Sequence, residues 1–280
     1  MTMPRMRKQP DRDDIIASLV DGAPAFNLKG GVEYAYALAL SRMARAAGFA
    51  LLANRIQKAL PDLDLPPPDV VIRFDAEVDD YEPARFEDYC IQYCLVRMIS
   101  VFEQYLRDIY LLVRIGVEAR SAGQIQRDAV KQICDATVKD RSGLWKLFRN
   151  LFTALGKPVK VIEGRHWISS LDGIRNCIVH RGGWVEDLDV GKKGVFEAVW
   201  RKTTMMDPGG RFVTSLPHKV EKGGELSVIF ADEKRVWNKG ERIALSVQDC
   251  QDGAFTLSAV CYQIHINVSD GLRQLLAKRT

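Results

Sequence analysis

The sequence contains no apolar run near the roughly 20 residues that a membrane-spanning helix needs, so no membrane partner is expected. It has no Cys-x-x-Cys pair. The six cysteines (Cys90, Cys94, Cys134, Cys177, Cys250 and Cys261) are scattered, and although Cys90 and Cys94 share a helix face, no paired histidine spacing accompanies them. Buried core thiols are therefore expected, and no metal site. The opening residues MTMPRMRKQPDRDD lead into Asp11, Asp13 and Asp14 and not into an apolar segment, which predicts no signal peptide, a cytoplasmic location and reduced thiols. No carboxylate cluster of the kind that holds Mg²⁺ stands out, and no cofactor is expected. A formal net charge of +4 is too small to announce a nucleic-acid binder.

What is present is an ordinary core-forming composition. In 280 residues, 47% hydrophobic and 27% charged side chains can supply one large or two modest domains. The basic residues are unevenly spread. Lys139, Arg141, Lys146, Arg149, Lys157, Lys160 and Arg165 face only Asp140 and Glu163 over the same stretch, seven cations against two anions and a local excess of +5.

Periodicity predicts a mostly α protein. A short helix is expected at 13–20, closed by Asp21-Gly22-Ala23-Pro24. From Val32 to Leu60, Tyr36, Leu40, Met43, Ala47 and Leu51 recur at helical spacing, with Gly48 a possible break, and Pro61 and Pro66-Pro67-Pro68 end the segment as a linker. After an extended piece at Val70 to Phe74, Pro83 suits a first helical position. A long helix follows to about Arg120, burying Ile91, Leu95, Met98, Phe102, Leu106, Ile109 and Val113.

Two shorter helices are predicted at Gln124 to Val138 and Gly143 to Leu155. The second buries Leu144, Leu147, Phe148, Leu151, Phe152 and Leu155 and leaves Lys146 and Arg149 outward for phosphates. Between 186 and 247 the pattern turns β-rich. Val195 to Thr204 reads as a strand, Asp207-Pro208-Gly209-Gly210 as a turn and Arg211 to Leu216 as the hairpin partner. Leu226 to Phe230 is a further strand, bounded by charged Asp232-Glu233-Lys234-Arg235. A final helix is expected from a cap at Asp252 to about Lys278, with Phe255, Ala259, Tyr262, Ile266, Leu272 and Leu276 as its apolar face and a kink at Gly271. The domain reading is a helical extension and linker over 1–68 and a helical domain over 69–280 that carries the β insert.

Within this scaffold the stretch Trp167 to Trp184, WISSLDGIRNCIVHRGGW, concentrates chemistry. It reads as a helix stopped by Gly182-Gly183. Asn176 and His180 are i, i+4 neighbours, whereas Arg175 lies about 140° away from His180 around the axis. The other histidines, His166, His218 and His265, have no such company.

The pattern IRNCIVHRGG, an arginine followed by a polar residue and then by a histidine at the end of a helix, with a long helix before it, resembles the motif of the HEPN superfamily. The resemblance covers about residues 80–183 and 250–278. It implies an HEPN-like helical bundle that dimerises so that two motifs share one cleft and, in many members, a metal-independent endoribonuclease of the kind used in toxin–antitoxin or phage-defence systems. The implied substrate is RNA, such as tRNA or mRNA, and the implied partners are a second copy and an antitoxin or other regulatory protein.

The residue chemistry suits that implication. Cleavage through the 2′-hydroxyl requires a base, an acid and positive charge on the transition state. Arg175 would hold the phosphate, Asn176 would orient His180, and His180 would act as base or acid, with Arg181, Lys146 and Arg149 as further phosphate ligands and Glu103 as a polar group of the cleft. The alternatives are a non-catalytic nucleotide- or RNA-binding or protein-interaction module built on the same cleft, and a β insert that serves as the interaction platform.

Overall fold

The computed structural model describes residues 28–59, 83–122, 127–140, 142–156, 165–191, 193–207, 209–210, 212–213 and 227–277. The elements are α1 (Leu28–Ala59), α2 (Pro83–Ala122), α3 (Arg127–Lys139), α4 (Leu144–Ala154), α5 (Arg165–Arg181), β1 (Val195–Met206), β2 (Phe212–Val213), β3 (Ser227–Asn238) and α6 (Val247–Ala277). The fold is mostly α, with a small antiparallel sheet before the last helix. The helix expected at 13–20, the proline-rich linker and the extended piece at 70–74 lie outside the described residues. No described helix is long and apolar enough to cross a membrane.

The 40-residue α2 is the spine. Its predicted stripe is buried throughout, from Ile91 and Leu95 through Met98, Phe102, Leu106 and Ile109 to Val113. Leu144, Leu147, Phe148, Leu151 and Phe152 of α4, Trp167 and Ile168 of α5, and Leu257, Ile264 and Val268 of α6 join the same core. Tyr105, fully enclosed there, donates its hydroxyl to the Cys261 carbonyl at 3.0 Å, so its one polar atom is satisfied. All six cysteines are buried.

Three helix expectations are corrected. First, α1 runs unbroken through Gly48, and its inward side is Val32, Ala35, Ala39, Met43, Ala46 and Ala50. Leu51 is 39% exposed and Leu52 52% exposed. Small side chains suit the tight packing of α1 on α2; a Cβ added at Gly31 would come 3.2 Å from a Leu112 methyl. Second, α6 starts at Val247 because Ser246 and Asp249 form a reciprocal cap: the Asp249 amide donates to Ser246 Oγ at 3.2 Å, and the Ser246 amide donates to Asp249 Oδ2 at 2.7 Å. Asp252 is interior, and the helix continues through Gly271. Third, the buried face of α6 is Cys250, Leu257, Val260, Cys261, Ile264, Val268 and Leu272, while Tyr262 and Ile266 point outward.

The sheet order is β2-β1-β3, with the expected antiparallel hairpin between β1 and β2 and a longer pairing of β1 with β3. β1 pairs with β3 along its whole length, from Val195 opposite Asn238 to Met206 opposite Ser227, and on its other side, among the described residues, Met205 and Met206 pair with Val213 and Phe212. The charged run Asp232-Glu233-Lys234-Arg235 is thus strand, not boundary. Its charges are matched across the ladder by Arg201 with Asp232 and Lys234 with Glu197, at 2.6 and 2.9 Å. Phe196, Ala198 and Trp200 alternate inward against the helices.

Arg235 lies over the Trp200 ring and donates to Asp249 at 2.6 Å, which fastens the sheet to the cap of α6. Burial is the largest influence on the Asp249 carboxyl and pushes its pKa up, but the Arg235 guanidinium and the Ser246 amide and hydroxyl together hold it below the ordinary value. A depressed carboxyl contributes stability that is present above its unfolded pKa and is lost as pH falls through the folded one. Asp249→Asn should therefore cost about 2 kcal/mol at neutral pH, from the cap and the charged hydrogen bond, with the difference shrinking below pH 3.8. Urea unfolding of both proteins across pH checks this. The side of α1 that faces inward is checked the same way: Met43→Ala should cost about 2–5 kcal/mol, and Leu51→Ala under about 0.5.

Candidate functional site

The helix α5 is held from one side. Trp167, Ile168, Leu171, Ile174 and Cys177 are buried, which leaves Asn176, Val179 and His180 exposed. Neither Asn176 nor His180 has a side-chain partner among the described residues. They share one solvent-facing side at the end of the helix, as their spacing predicts, with Val179, 52% exposed, between them.

Arg175 stands apart from this pair and is bound into a polar ring. Its Nη1 donates to Glu103 Oε2 at 2.5 Å, and Asp172 Oδ1 lies 3.9 Å away. The other oxygen of Glu103 accepts from Arg107 Nη2 at 2.8 Å, and Arg107 Nη1 reaches the Asp140 carbonyl at 2.5 Å. Asp172 Oδ2 in turn accepts the Leu144 amide at 3.0 Å and so caps the first turn of α4. Gly143 is needed for that approach, because a Cβ there would meet Asp172 Oδ2 at 2.5 Å.

Glu103 thus stands beside Arg175, 72 residues away in sequence. Burial raises the Asp172 pKa, against the opposing effects of the Leu144 amide and Arg175. The Asp140 carboxyl is held below its ordinary value, chiefly by the hydrogen bond from the Ser142 hydroxyl.

Lys146 and Arg149 are exposed on α4, outward as predicted. Arg181 is placed differently from the expectation. Its Nε donates to Asp189 Oδ2 at 2.6 Å and its Nη2 pairs with the other oxygen, with 12% and 4% of the two side chains exposed. That buried fork occupies the guanidinium, so in this structure it braces the turn after α5 instead of offering a phosphate ligand.

The helix ends as the two glycines require. Gly182 and Gly183 both adopt left-handed φ, +60° and +87°, and the Gly183 amide returns to the Cys177 carbonyl at 3.2 Å. Gly183 is also a close approach, since a Cβ would lie 2.7 Å from Gln92 Nε2. The turn then joins the far end of the insert: the Ile243 amide donates to the Gly183 carbonyl at 2.8 Å, and the Val185 amide to the Glu241 carbonyl at 2.9 Å.

A cavity of about 290 Å³ opens there, lined by Trp184, Val185, Glu186, Asp187, Leu188, Lys239 and Gly240. Sequence reasoning missed it, because nothing along the chain sets Lys239 beside Asp187; the exposed tryptophan after the glycines was the one available signal. Among the described residues no group of three or more His, Cys, Asp or Glu side chains could hold a metal ion.

Comparison of the chain with family models, with curated proteins and with solved structures found no match. Gly183→Ala should cost about 1–3 kcal/mol through its left-handed backbone alone, and more if Gln92 cannot move aside. A larger drop in melting temperature than that of Gly48→Ala, which meets nothing within 4 Å, would confirm the role of the turn.

Proposed function

We propose that the chain is an HEPN-like, metal-independent endoribonuclease that cleaves RNA by attack of the 2′-hydroxyl in a site composed from two copies. The observation that carries this reading is the pairing of exposed Asn176 and His180 at a helix terminus, one residue after a guanidinium whose orientation is already fixed. His180 takes the proton of the 2′-hydroxyl or returns one to the departing 5′-oxygen, and Asn176 orients it or donates to a phosphate oxygen. One histidine serves one of those two roles per turnover, so the second comes from the second copy. Exposed Val179, set between the two polar residues, suits a surface that a second copy would cover.

The rival reading, a non-catalytic RNA- or protein-binding module, has one observation in its favour. Arg175 Nη1 is already held by Glu103, so a phosphate gains that cation only by competing with a carboxylate.

The test is cleavage of a mixed-sequence RNA by the full chain in excess EDTA. The parent should cut and leave 2′,3′-cyclic phosphate ends. His180→Ala should lower the rate by about 10²–10⁴-fold, the share typical of a positioned acid or base. Mixing parent chains with an excess of His180→Ala chains should lower activity well below the share contributed by the parent, because a mixed pair carries one histidine; a fall in simple proportion to the parent fraction would show that each copy holds a complete site. A parent that binds RNA and never cuts it, under dimeric conditions, would select the rival reading.

A further inference from the structure

We propose that the cavity beside the motif is a subsite for one unpaired guanine base of the RNA, which deepens the function proposed above and rests on it. The cavity begins four residues after His180. Its volume of about 290 Å³ falls at the lower edge of the roughly 300–1,000 Å³ usual for small-molecule sites, which fits a single flat base and not a whole folded cofactor.

Three features of the lining fit that ligand. Trp184 is 52% exposed, and its ring turns back over Gly182, where an added Cβ would lie 4.0 Å from Cδ1. A tryptophan left half in water beside a cavity offers a stacking face that any base can use. Leu188, 86% exposed, adds apolar surface that the fold itself does not bury.

Lys239 Nζ lies 2.6 and 2.8 Å from the two oxygens of Asp187, with 57% and 78% of these side chains exposed. An ion pair so open contributes little to folding, so rearranging it costs little. Side by side, an ammonium and a carboxylate form a donor followed by two acceptors. Guanine presents the complement: O6 accepts from Lys239, while N1–H and N2–H donate together to the two oxygens of Asp187. Adenine, cytosine and uracil each lack the adjacent pair of donors that fills both oxygens of one carboxylate.

The balance of charge places the base here and the backbone elsewhere. Glu186 and Asp187 outnumber Lys239, so the lining repels phosphate and favours a neutral ring with hydrogen-bond donors. The turn is also preorganised. Asp189 Oδ2 accepts the Glu186 amide at 3.0 Å while holding Arg181, and the Gly240 amide donates to the Val185 carbonyl at 2.9 Å, so both walls are fixed before a ligand arrives.

The experiment titrates guanosine, adenosine, cytidine and uridine into the full chain by equilibrium dialysis. The expected result is guanosine bound about tenfold or more tightly than the other three. Asp187→Asn should remove that preference, and Trp184→Ala should weaken all four by about fivefold or more. Both positions are exposed, and unchanged melting temperatures establish that the variants are folded.

Equal binding of the four nucleosides, guanosine binding unaffected by either variant, or no saturable guanosine binding up to millimolar concentration would each overturn the proposal. A second arm compares guanosine 5′-triphosphate with a 2′-O-methylated oligouridine carrying one central guanosine, which 2′-hydroxyl chemistry cannot cut. Tighter binding of the oligomer supports an RNA base as the source, and tighter binding of the triphosphate overturns it in favour of a free nucleotide. Binding is read without cleavage, so the two readings fail separately. A chain that binds guanosine and never cuts RNA sinks the ribonuclease assignment alone, whereas a chain that cuts RNA with no regard for guanine sinks the subsite alone.

Discussion

The ion pair between Glu103 and Arg175 is the constraint from which the geometry of the motif follows. Arg175 is partly buried, and a guanidinium in that position needs an acceptor that water supplies only in part. Glu103 supplies it, but Glu103 also serves Arg107, and Arg107 serves the carbonyl of Asp140. The ring therefore ties α2 to the turn before α4, while Asp172 ties α5 to the first amide of α4. Removing one member would leave another charge uncompensated in a partly dry place, so the ring behaves as a unit. Its consequence is a division of labour within α5: the arginine is fixed, and the asparagine and histidine remain free.

How much of this was legible in the sequence depended on whether large and small residues segregated. On α2 the bulky apolar side chains recur on one side only, so the buried stripe from Ile91 to Val113 could be read directly. On α1 both sides are apolar. The core selected alanines over leucines because close packing against α2 rewards small residues, and a pattern of hydrophobicity alone cannot express that preference. The first part of β3 was legible in Leu226 to Phe230, but its extension to Asn238 was hidden because its charges looked like a boundary, although Asp232, Glu233 and Lys234 find opposite partners across the ladder and Arg235 finds Asp249. The α6 cap was hidden for a different reason, since Ser246 falls at the end of the stretch read as β-rich and Asp252, three residues past Asp249, offered a second acidic cap. Within the candidate site, spacing put Asn176 and His180 on one side and Arg175 apart from them, as the structure has them. Glu103 could be named as a polar candidate on the long helix, but its contact with Arg175 depends on how two helices cross.

The β insert does more than interrupt the helical pattern. Its near end packs Phe196 and Trp200 against the helices, and its far end returns through Asn238 to Ile243 beside the turn that follows the motif. Gly183, Val185 and Gln92 are all hydrogen-bonded to that return segment, through Ile243, Glu241 and Gly240. The end of α5 is consequently supported on two sides, by α2 and by the insert. A histidine at the fraying end of an isolated helix would sample many orientations, and the two supports reduce that freedom without touching the imidazole.

Charge balance sets the terms on which a phosphate could be held. Glu103 and Asp172 offset Arg107 and Arg175, so the ring itself offers no surplus cation, and a phosphate drawn to Arg175 competes with Glu103 for the same guanidinium. The surplus lies on α4, where Lys146 and Arg149 face solvent and where Asp172 fixes the helix start relative to the motif. For the proposed RNA cleavage, long-range attraction would therefore come from α4, with Arg175 acting only once the backbone has arrived, when the developing negative charge of the reacting phosphate would compete better against a carboxylate than the resting phosphate does. In that proposed reaction, an arginine restrained in this way would discriminate between ground state and transition state by the strength of the anion it is asked to exchange for, and such discrimination is the part of binding that accelerates a reaction.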